Sequence, residues 1–119
     1  MARVLVVDDA QEVVDFIKSV LSSAGHEVAA RLEGSDLEAR IAEFRPDLLL
    51  LDIVLPDRNG FQILRSLRRS VHTRGLPIVL VSRKSEPTDV EWGMLQGATD
   101  YLTKPFTPES LVSMVDRHT

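Results

Sequence analysis

The fold class is decided by Leu48-Leu49-Leu50-Leu51-Asp52-Ile53-Val54-Leu55-Pro56, an apolar segment that carries a single carboxylate. The run is bounded by Pro46-Asp47 upstream and by a proline downstream, so it is too short for an independent helix and predicts a strand buried on both faces. In open parallel sheets, ligands bind at the carboxyl ends of the strands. Since a buried carboxylate is costly without a partner, Asp52 is predicted to belong to a functional cleft.

Composition is consistent with one compact domain over residues 1–119. The 119 residues contain 44% hydrophobic side chains, enough for a real core, and too few residues for a second domain. No cysteine is present, which excludes disulfides and thiolate metal sites. The apolar runs are too short to span a bilayer and the N-terminus lacks signal-peptide architecture. We therefore expect a cytoplasmic protein without membrane contact.

Charge is distributed unevenly along the chain. The formal net charge is −4, but the segment 58–84 contains seven basic residues and no acidic ones. Such a segment is typical of a solvated basic face, and it could also be a docking patch for an acidic partner. Direct nucleic-acid binding is a weaker alternative, because the chain as a whole is acidic. The arginines that it would use are Arg65, Arg68, Arg69 and Arg74.

Strand-like and helix-like segments alternate along the whole chain. Apolar, β-branched or leucine-rich runs predict five strands, at 4–7, 27–30, 48–51, 77–81 and 100–103. Helical spacing of apolar residues predicts five helices, the first ending before Gly25, the second over 35–44, the third around 61–67, and the last two over 87–96 and 108–117. This alternation indicates an α/β fold, a doubly wound parallel sheet covered by helices on both faces.

The first strand ends in an acidic pair, Asp8-Asp9, whose meaning the local sequence leaves open. Asp9 and Glu12 have the spacing of a capping box, so both aspartates could simply cap the first helix. The alternative is that they contribute to the same cleft as Asp52.

Polar residues follow four of the predicted strands, and their carboxyl ends meet at one sheet edge. Carboxylates crowded together raise one another's pKa unless a cation compensates, and an oxygen-only ligand set suits Mg²⁺. A lysine and a hydroxyl beside them could bind phosphoryl oxygens, and a carboxylate nucleophile can form an aspartyl phosphate. Each residue alone has a structural explanation, but a single site explains them together. The set is Asp8, Asp9, Asp52, Ser82 and Lys104.

Over essentially its whole length the chain resembles a receiver domain of two-component response regulators. The resemblance rests on the acidic pair after the first strand, on Asp52 with Pro56 and Gly60 following it, and on Ser82 and Lys104 at family-like distances. Gly93, Gly97-Ala98 and Tyr101-Leu102-Thr103-Lys104-Pro105-Phe106 also match the family. The resemblance implies a flavodoxin-like sheet with strand order 2-1-3-4-5 and a cis bond between Lys104 and Pro105.

The resemblance also implies a chemistry for the cleft. Asp52 would accept a phosphoryl group from a phosphohistidine of a sensor histidine kinase or phosphotransfer protein. The domain would not be a conventional enzyme, since it would catalyse only its own phosphoryl transfer and autodephosphorylation. Asp9, Asp52 and the backbone carbonyl of Val54 would hold Mg²⁺, with Asp8 helping through water. The phosphoryl oxygens would be bound by Lys104 and Ser82.

A conformational switch is the further implication of the resemblance. Ser82 would move toward the phosphoryl group and the ring of Tyr101 would swing inward, because added charge and acceptor oxygens can bias a bistable loop. The responding surface would comprise the fourth helix, fifth strand and fifth helix, and would serve a downstream partner, an output domain or a homodimer. Trp92 on the fourth helix could pack in the core or could anchor a partner.

One position departs from the family pattern. The residue after the switch hydroxyl is commonly small, usually alanine, whereas this chain has Arg83. Arg83 could narrow the cleft or meet an acidic phosphoryl donor, and we expect it to change phosphoryl turnover without abolishing it. Val54 and Lys84 should flank the same opening and tune the phosphoryl lifetime.

Other functions remain open at this point. A phosphorylation-independent adaptor would keep the fold but need not keep the five polar residues. A Mg²⁺-dependent aspartyl-phosphate phosphatase would need a second acid where the chain has Val54, and room for a cap domain. A flavodoxin-like electron carrier would need a phosphate-binding loop after Val7 and aromatic residues to contact a flavin.

Overall fold

The computed structural model describes all residues, 1–119, as alternating strands and helices. None of the helices is both long and apolar enough to cross a membrane. The strands are β1 (Arg3–Val7), β2 (Glu27–Arg31), β3 (Leu48–Leu51), β4 (Ile78–Ser82) and β5 (Asp100–Thr103). The helices are α1 (Gln11–Ser23), α2 (Leu37–Phe44), α3 (Gly60–Arg69), α4 (Pro87–Leu95) and α5 (Pro108–Arg117).

The five strands form one parallel sheet in the order β2-β1-β3-β4-β5, as predicted. β3 lies at the centre of the sheet, where Leu49 pairs with Leu5 of β1 and with Ile78 of β4. Because every strand runs in the same direction, all five carboxyl ends reach the same edge. The doubly wound fold class is confirmed.

Two hydrophobic clusters lie on opposite faces of the sheet, and each contains two of the four leucines of β3. Leu48 and Leu50 pack with apolar residues of α1 and α5, whereas Leu49 and Leu51 pack with α2 and α3. All four leucines are fully buried. This two-sided burial is the physical reason for an uninterrupted apolar strand, and it fixes Asp52 immediately beyond the core.

Two helix starts differ from the sequence prediction. The N-cap of α1 is Ala10, which makes no side-chain cap, so the capping box that the spacing of Asp9 and Glu12 would allow does not form. Asp8 provides the nearest equivalent, because its Oδ1 accepts a hydrogen bond from the backbone N–H of Ala10 at 2.9 Å. α2 begins at Leu37 rather than at Ser35, after Asp36 in the left-handed region (φ 51°).

Candidate functional site

The candidate site lies at the carboxyl edge of the sheet, where several strands end in polar residues. β1 leads into Asp8 and Asp9, and β3 leads into Asp52. β4 ends at Ser82, and Lys104 follows β5 directly. All five residues line a single cleft of about 290 Å³. The structure therefore brings together every residue of the predicted polar set.

Lys104 is the largely buried cation of this cleft. Its Nζ lies 2.6 Å from Oδ2 of Asp8 and 3.3 Å from Oδ2 of Asp52. The three side chains are 10%, 2% and 9% exposed, respectively, so both ion pairs are shielded from water. The Lys104–Pro105 peptide bond is cis, as the family resemblance implies.

Three carboxylates of the cleft are arranged as the ligands of a divalent cation would be. Asp8, Asp9 and Asp52 each offer an oxygen, and these oxygens lie within 4.8 Å of one another. Asp8 and Asp52 are buried while Asp9 is exposed, so the cluster is open to solvent on one side. A hard, oxygen-only donor set that faces water on one side fits Mg²⁺, which binds a few carboxylates and retains open positions.

Burial dominates the electrostatics of Asp52. Desolvation raises the pKa of its carboxyl group above the ordinary value, and the neighbouring charge of Asp8 acts in the same direction. Lys104 and the backbone N–H of Val54, which lies 3.3 Å from Oδ1, act in the opposite direction. The carboxylate is thus held in a site where a further positive charge would stabilise its ionised form.

A short hydrogen-bond chain leads from the cleft toward α4. Buried Ser82 accepts a hydrogen bond on Oγ from the backbone N–H of Lys84 at 3.2 Å. The carbonyl of Lys84 accepts a hydrogen bond from the hydroxyl of Tyr101 at 2.6 Å. Tyr101 is 9% exposed and its ring packs in the second core cluster, so it occupies the inward position in this structure. Burial also raises the pKa of the Tyr101 hydroxyl, which keeps it a donor.

The opening of the cleft is formed by exposed side chains. Val54, Arg83 and Lys84 all line it, and each of them is exposed. Arg83 also lines a neighbouring pocket with Phe16 and Phe106, whose rings stack at a centroid distance of 5.8 Å. Arg83 therefore lies at the cleft opening without an ion-pair partner.

The basic segment 58–84 divides into two groups. Arg58 pairs with Glu38 through two nitrogens at 2.9 and 3.0 Å, which holds the pKa of Glu38 below its usual range. Arg65 and Arg68 bond to residues at the end of α4. The remaining side chains are exposed and make no ion pair: Arg69, Arg74, Arg83 and Lys84. A continuous docking patch is not formed, because three of the seven basic residues have structural partners.

Sequence reasoning missed the way in which α3 begins. An Asn-Gly dipeptide is typical of a turn, but Asn59 is the N-cap of α3, and its Oδ1 accepts from the backbone N–H of Phe61 at 2.8 Å. Gly60 packs directly below Asp52: a Cβ there would lie 2.5 Å from the carbonyl oxygen of Asp52. The only available signal was an asparagine one position before an amphipathic run.

Comparison with known proteins identifies the family. The family model of the response regulator receiver domain matches residues 4–116 of the sequence. The chain belongs to the response regulator receiver family. It is 40% identical over 116 residues to protein PilH of Pseudomonas aeruginosa, covering 98% of the chain and 96% of PilH.

Other relatives of this receiver domain are longer or have solved structures. It is 41% identical to the DNA-binding response regulator MtrA of Mycolicibacterium smegmatis, covering 95% of the chain but only 48% of MtrA. The chemotaxis protein CheY4 of Vibrio cholerae superposes with a TM-score of 0.92 at 30% identity, covering 100% and 99% of the two chains. The receiver domain thus spans nearly all of PilH and about half of MtrA.

Proposed function

We propose that this receiver domain is a phosphorylation-dependent switch whose acceptor is Asp52. The observation that carries the proposal is the position of Lys104, whose ammonium group contacts both Asp8 and Asp52 inside a cleft that also contains Ser82. A cation beside a nucleophilic carboxylate is the arrangement that phosphoryl transfer requires, because that reaction depends mainly on positioning and charge stabilisation.

In the proposed transfer, a carboxylate oxygen of Asp52 attacks the phosphorus of a phosphohistidine. The new O–P bond forms as the P–N bond breaks, and the electron pair of that bond returns to the imidazole nitrogen of the donor. Lys104 and the hydroxyl of Ser82 bind oxygens of the transferred group. Asp8, Asp9, Asp52 and the carbonyl of Val54 would hold Mg²⁺, which supplies positive charge against the phosphoryl oxygens when bound.

The lifetime of the acyl phosphate would depend on how water reaches it. Val54, Arg83 and Lys84 are exposed around the cleft, so their side chains border the path that an attacking water must follow. We expect these three positions to tune autodephosphorylation. None of them supplies a second acid, which argues against a dedicated phosphatase.

The output would be transmitted through Ser82 and Tyr101 to the surface of α4, β5 and α5. A phosphoryl group adds acceptor oxygens, so the hydroxyl of Ser82 has reason to leave the N–H of Lys84 for the cleft. That surface would contact a downstream partner, an output domain or a second copy. We expect the donor to be a sensor histidine kinase or phosphotransfer protein, the location to be the cytoplasm, and this chain itself to contact no nucleic acid.

The test is intact mass spectrometry after incubation with acetyl phosphate and Mg²⁺. We expect wild type to gain one phosphoryl group and Asp52→Asn to gain none, with chelation of the metal abolishing the gain. Asp57→Asn is the matched control, because Asp57 is an exposed acid a few positions further along the same segment. The proposal is wrong if Asp52→Asn is labelled as wild type is, or if wild type gains no mass; in the latter case the domain is a phosphorylation-independent adaptor.

A further inference from the structure

Arg68 is the most extensively bonded side chain outside the cleft. Its Nε donates to the carbonyl of Gly97 at 2.7 Å, and its Nη1 donates to the carbonyl of Leu76 at 2.6 Å. Longer bonds reach the carbonyls of Thr73 and Arg74, and Nη2 donates to Oγ1 of Thr99 at 3.3 Å. It has no carboxylate partner, and burial lowers the pKa of its guanidinium group. Because all hydrogen-bond acceptors of this partly buried guanidinium group are uncharged, Arg68 must be placed accurately to satisfy its donors.

The acceptors of Arg68 belong to connections on the side of the sheet opposite the cleft. Gly97 follows α4, and Thr99 immediately precedes β5. Gly97 has φ +110°, and a Cβ at that position would lie 2.9 Å from Cγ of Arg68, so the close approach needs glycine for two reasons. Arg65 adds a second bond from α3, donating to Oε1 of Gln96 at 3.0 Å. The C-terminal end of α4 is therefore fixed to α3 by charged donors.

The N-terminal end of α4 is held quite differently. Glu86 and Asp89 form a capping box within the helix itself. Two side-chain bonds join the sheet to the segment before the helix: the Tyr101 hydroxyl donates to the carbonyl of Lys84, and Oγ of Ser82 accepts from the N–H of Lys84. This segment, residues 83–86, is exposed and begins directly after Ser82. One end of α4 is thus fixed, and the other is attached through the residues that the proposed switch would move.

We infer that Arg68 is a positioning residue that makes α4 turn about its C-terminal end when the phosphoryl site is occupied. The inference rests on the proposed function and deepens it. A displacement at Ser82 that pulls on residues 83–86 can rotate a helix whose far end is fixed. Without that fixed end, the same displacement would be absorbed by local loosening, and the two ends of α4 would no longer respond together.

The chain contains its own reporter for this movement. Trp92 is the single tryptophan, lies on α4 and is 48% exposed. Its ring packs edge-on against Phe61 of α3 with a centroid distance of 6.5 Å. Since Phe61 belongs to the helix that carries Arg68, a rotation of α4 changes the surroundings of Trp92, and its fluorescence should follow the occupied state.

The experiment compares Arg68→Met with Arg69→Met, using beryllofluoride with Mg²⁺ as the phosphoryl probe. Methionine keeps the aliphatic stem beside Gly97 and removes every donor, whereas Arg69 is an exposed neighbour without hydrogen-bond partners. At saturating probe we expect the Trp92 fluorescence response of Arg68→Met to fall by at least about fivefold, because the displacement at Ser82 would be absorbed by local loosening and would not rotate α4. Arg69→Met should keep the wild-type response, and acetyl phosphate should label Asp52 normally in both.

A purely structural role predicts another pattern. Lost stability would lower the melting temperature of Arg68→Met but leave the Trp92 response per bound probe intact, and that result overturns the inference. If Arg68→Met does not fold, Arg65→Met removes the milder contact to Gln96 and should reduce the response in the same direction. A wild type that is labelled on Asp52 without any Trp92 response also refutes the inference and leaves the proposed function standing, whereas failure of labelling refutes the proposed function.

Discussion

Asp52 is held where its negative charge is costly to the folded state. It lies just beyond the fully buried strand β3, and desolvation raises its pKa despite the nearby ammonium of Lys104. Two carboxylates, Asp8 and Asp52, share that single ammonium group. A site with more buried negative than positive charge favours binding of a cation, which in turn favours binding of a phosphoryl group. The folded state is less stable when neither is bound.

The first prediction concerns this cost. Asp52→Asn should raise the free energy of unfolding at neutral pH by about 1 kcal/mol, because desolvation disfavours the charge of Asp52 and Lys104 keeps Asp8 as its ion-pair partner in the variant. For a domain of this size that is a melting-temperature increase of roughly 4 °C. Glu91→Gln is the control, since it makes the same chemical change at an exposed position of α4.

The pH dependence of the Asp52→Asn effect follows from the raised pKa. When Asp52 is protonated in both the folded and the unfolded state, the variant has no advantage. The advantage of the variant develops as the pH rises from the ordinary aspartate pKa, about 3.9, to the higher pKa of Asp52 in the folded state. Thermal unfolding of both proteins across this range, without Mg²⁺, measures it. An advantage that is largest in acid would contradict the assignment.

Arg83 provides a second prediction at the residue scale. It is an exposed cation at the cleft opening, so its field should favour the approach of an anionic phosphoryl donor. Arg83→Ala should slow labelling by acetyl phosphate roughly threefold at low salt, and the difference should shrink once screening exceeds about 0.15 M ionic strength. Arg74→Ala, an exposed arginine away from the cleft, should not change the rate. Equal rates for Arg83→Ala and wild type at low salt would refute the prediction.

At the scale of elements, the junction of β3 with α3 decides how accurately Asp52 is placed. α3 begins at Gly60 because only a residue without a Cβ allows the helix to approach the strand end: a Cβ would lie 2.6 Å from Cα of Ile53. Asn59 caps the helix, and its bridge to Val54 closes the loop between the two elements. The loop thus folds back under the acceptor residue.

Gly60→Ala should therefore disturb both folding and chemistry. Overpacking against backbone atoms typically costs 1–3 kcal/mol, and we expect about 2 kcal/mol here together with slower labelling of Asp52. Gly75→Ala is the matched control, because a Cβ at Gly75 would meet nothing within 4 Å. It should be neutral or slightly stabilising, since alanine restricts the unfolded chain. Chemical denaturation of both variants decides between these outcomes.

Helix ends show where sequence reasoning stopped short. The spacing of Asp9 and Glu12 is compatible with a capping box, but in the structure Asp8 bonds to the helix start and Asp9 is exposed. The left-handed conformation of Asp36 could not be anticipated, because Gly34, two positions before it, was the more obvious residue for a helix boundary. Local patterns locate a helix well and its first residue poorly.

For the whole molecule, the strand order and the gathering of the polar set were predictable. The order is the one that the family resemblance implies. The gathering follows from parallel strands whose carboxyl ends meet at one edge and lead into Asp8, Asp52 and Lys104 or end at Ser82. What the sequence did not reveal was side-chain pairing over long separations. Lys104 bonds most closely to Asp8, and Arg68 bonds to residues well beyond its own helix, because packing between distant segments decides such contacts.

The two hydrophobic clusters lead to a prediction about folding. Each cluster takes two leucines from the central strand β3, so loss of the helices from either face exposes leucines of the strand on which the other cluster also depends. Residues 1–119 should consequently unfold as one cooperative domain. Urea transitions followed by Trp92 fluorescence and by far-ultraviolet circular dichroism should coincide. Two separate midpoints would show that the faces unfold independently.

The sheet has two free edges, formed by β2 and β5. β2 is five residues long and begins and ends with charged residues, Glu27 and Arg31, while β5 has four residues and begins with Asp100. Short edges with charged ends are poor templates for a strand from another molecule. Self-association of this protein should therefore proceed through helix side chains, and the native fold should resist growth into a continuous intermolecular sheet or fibril.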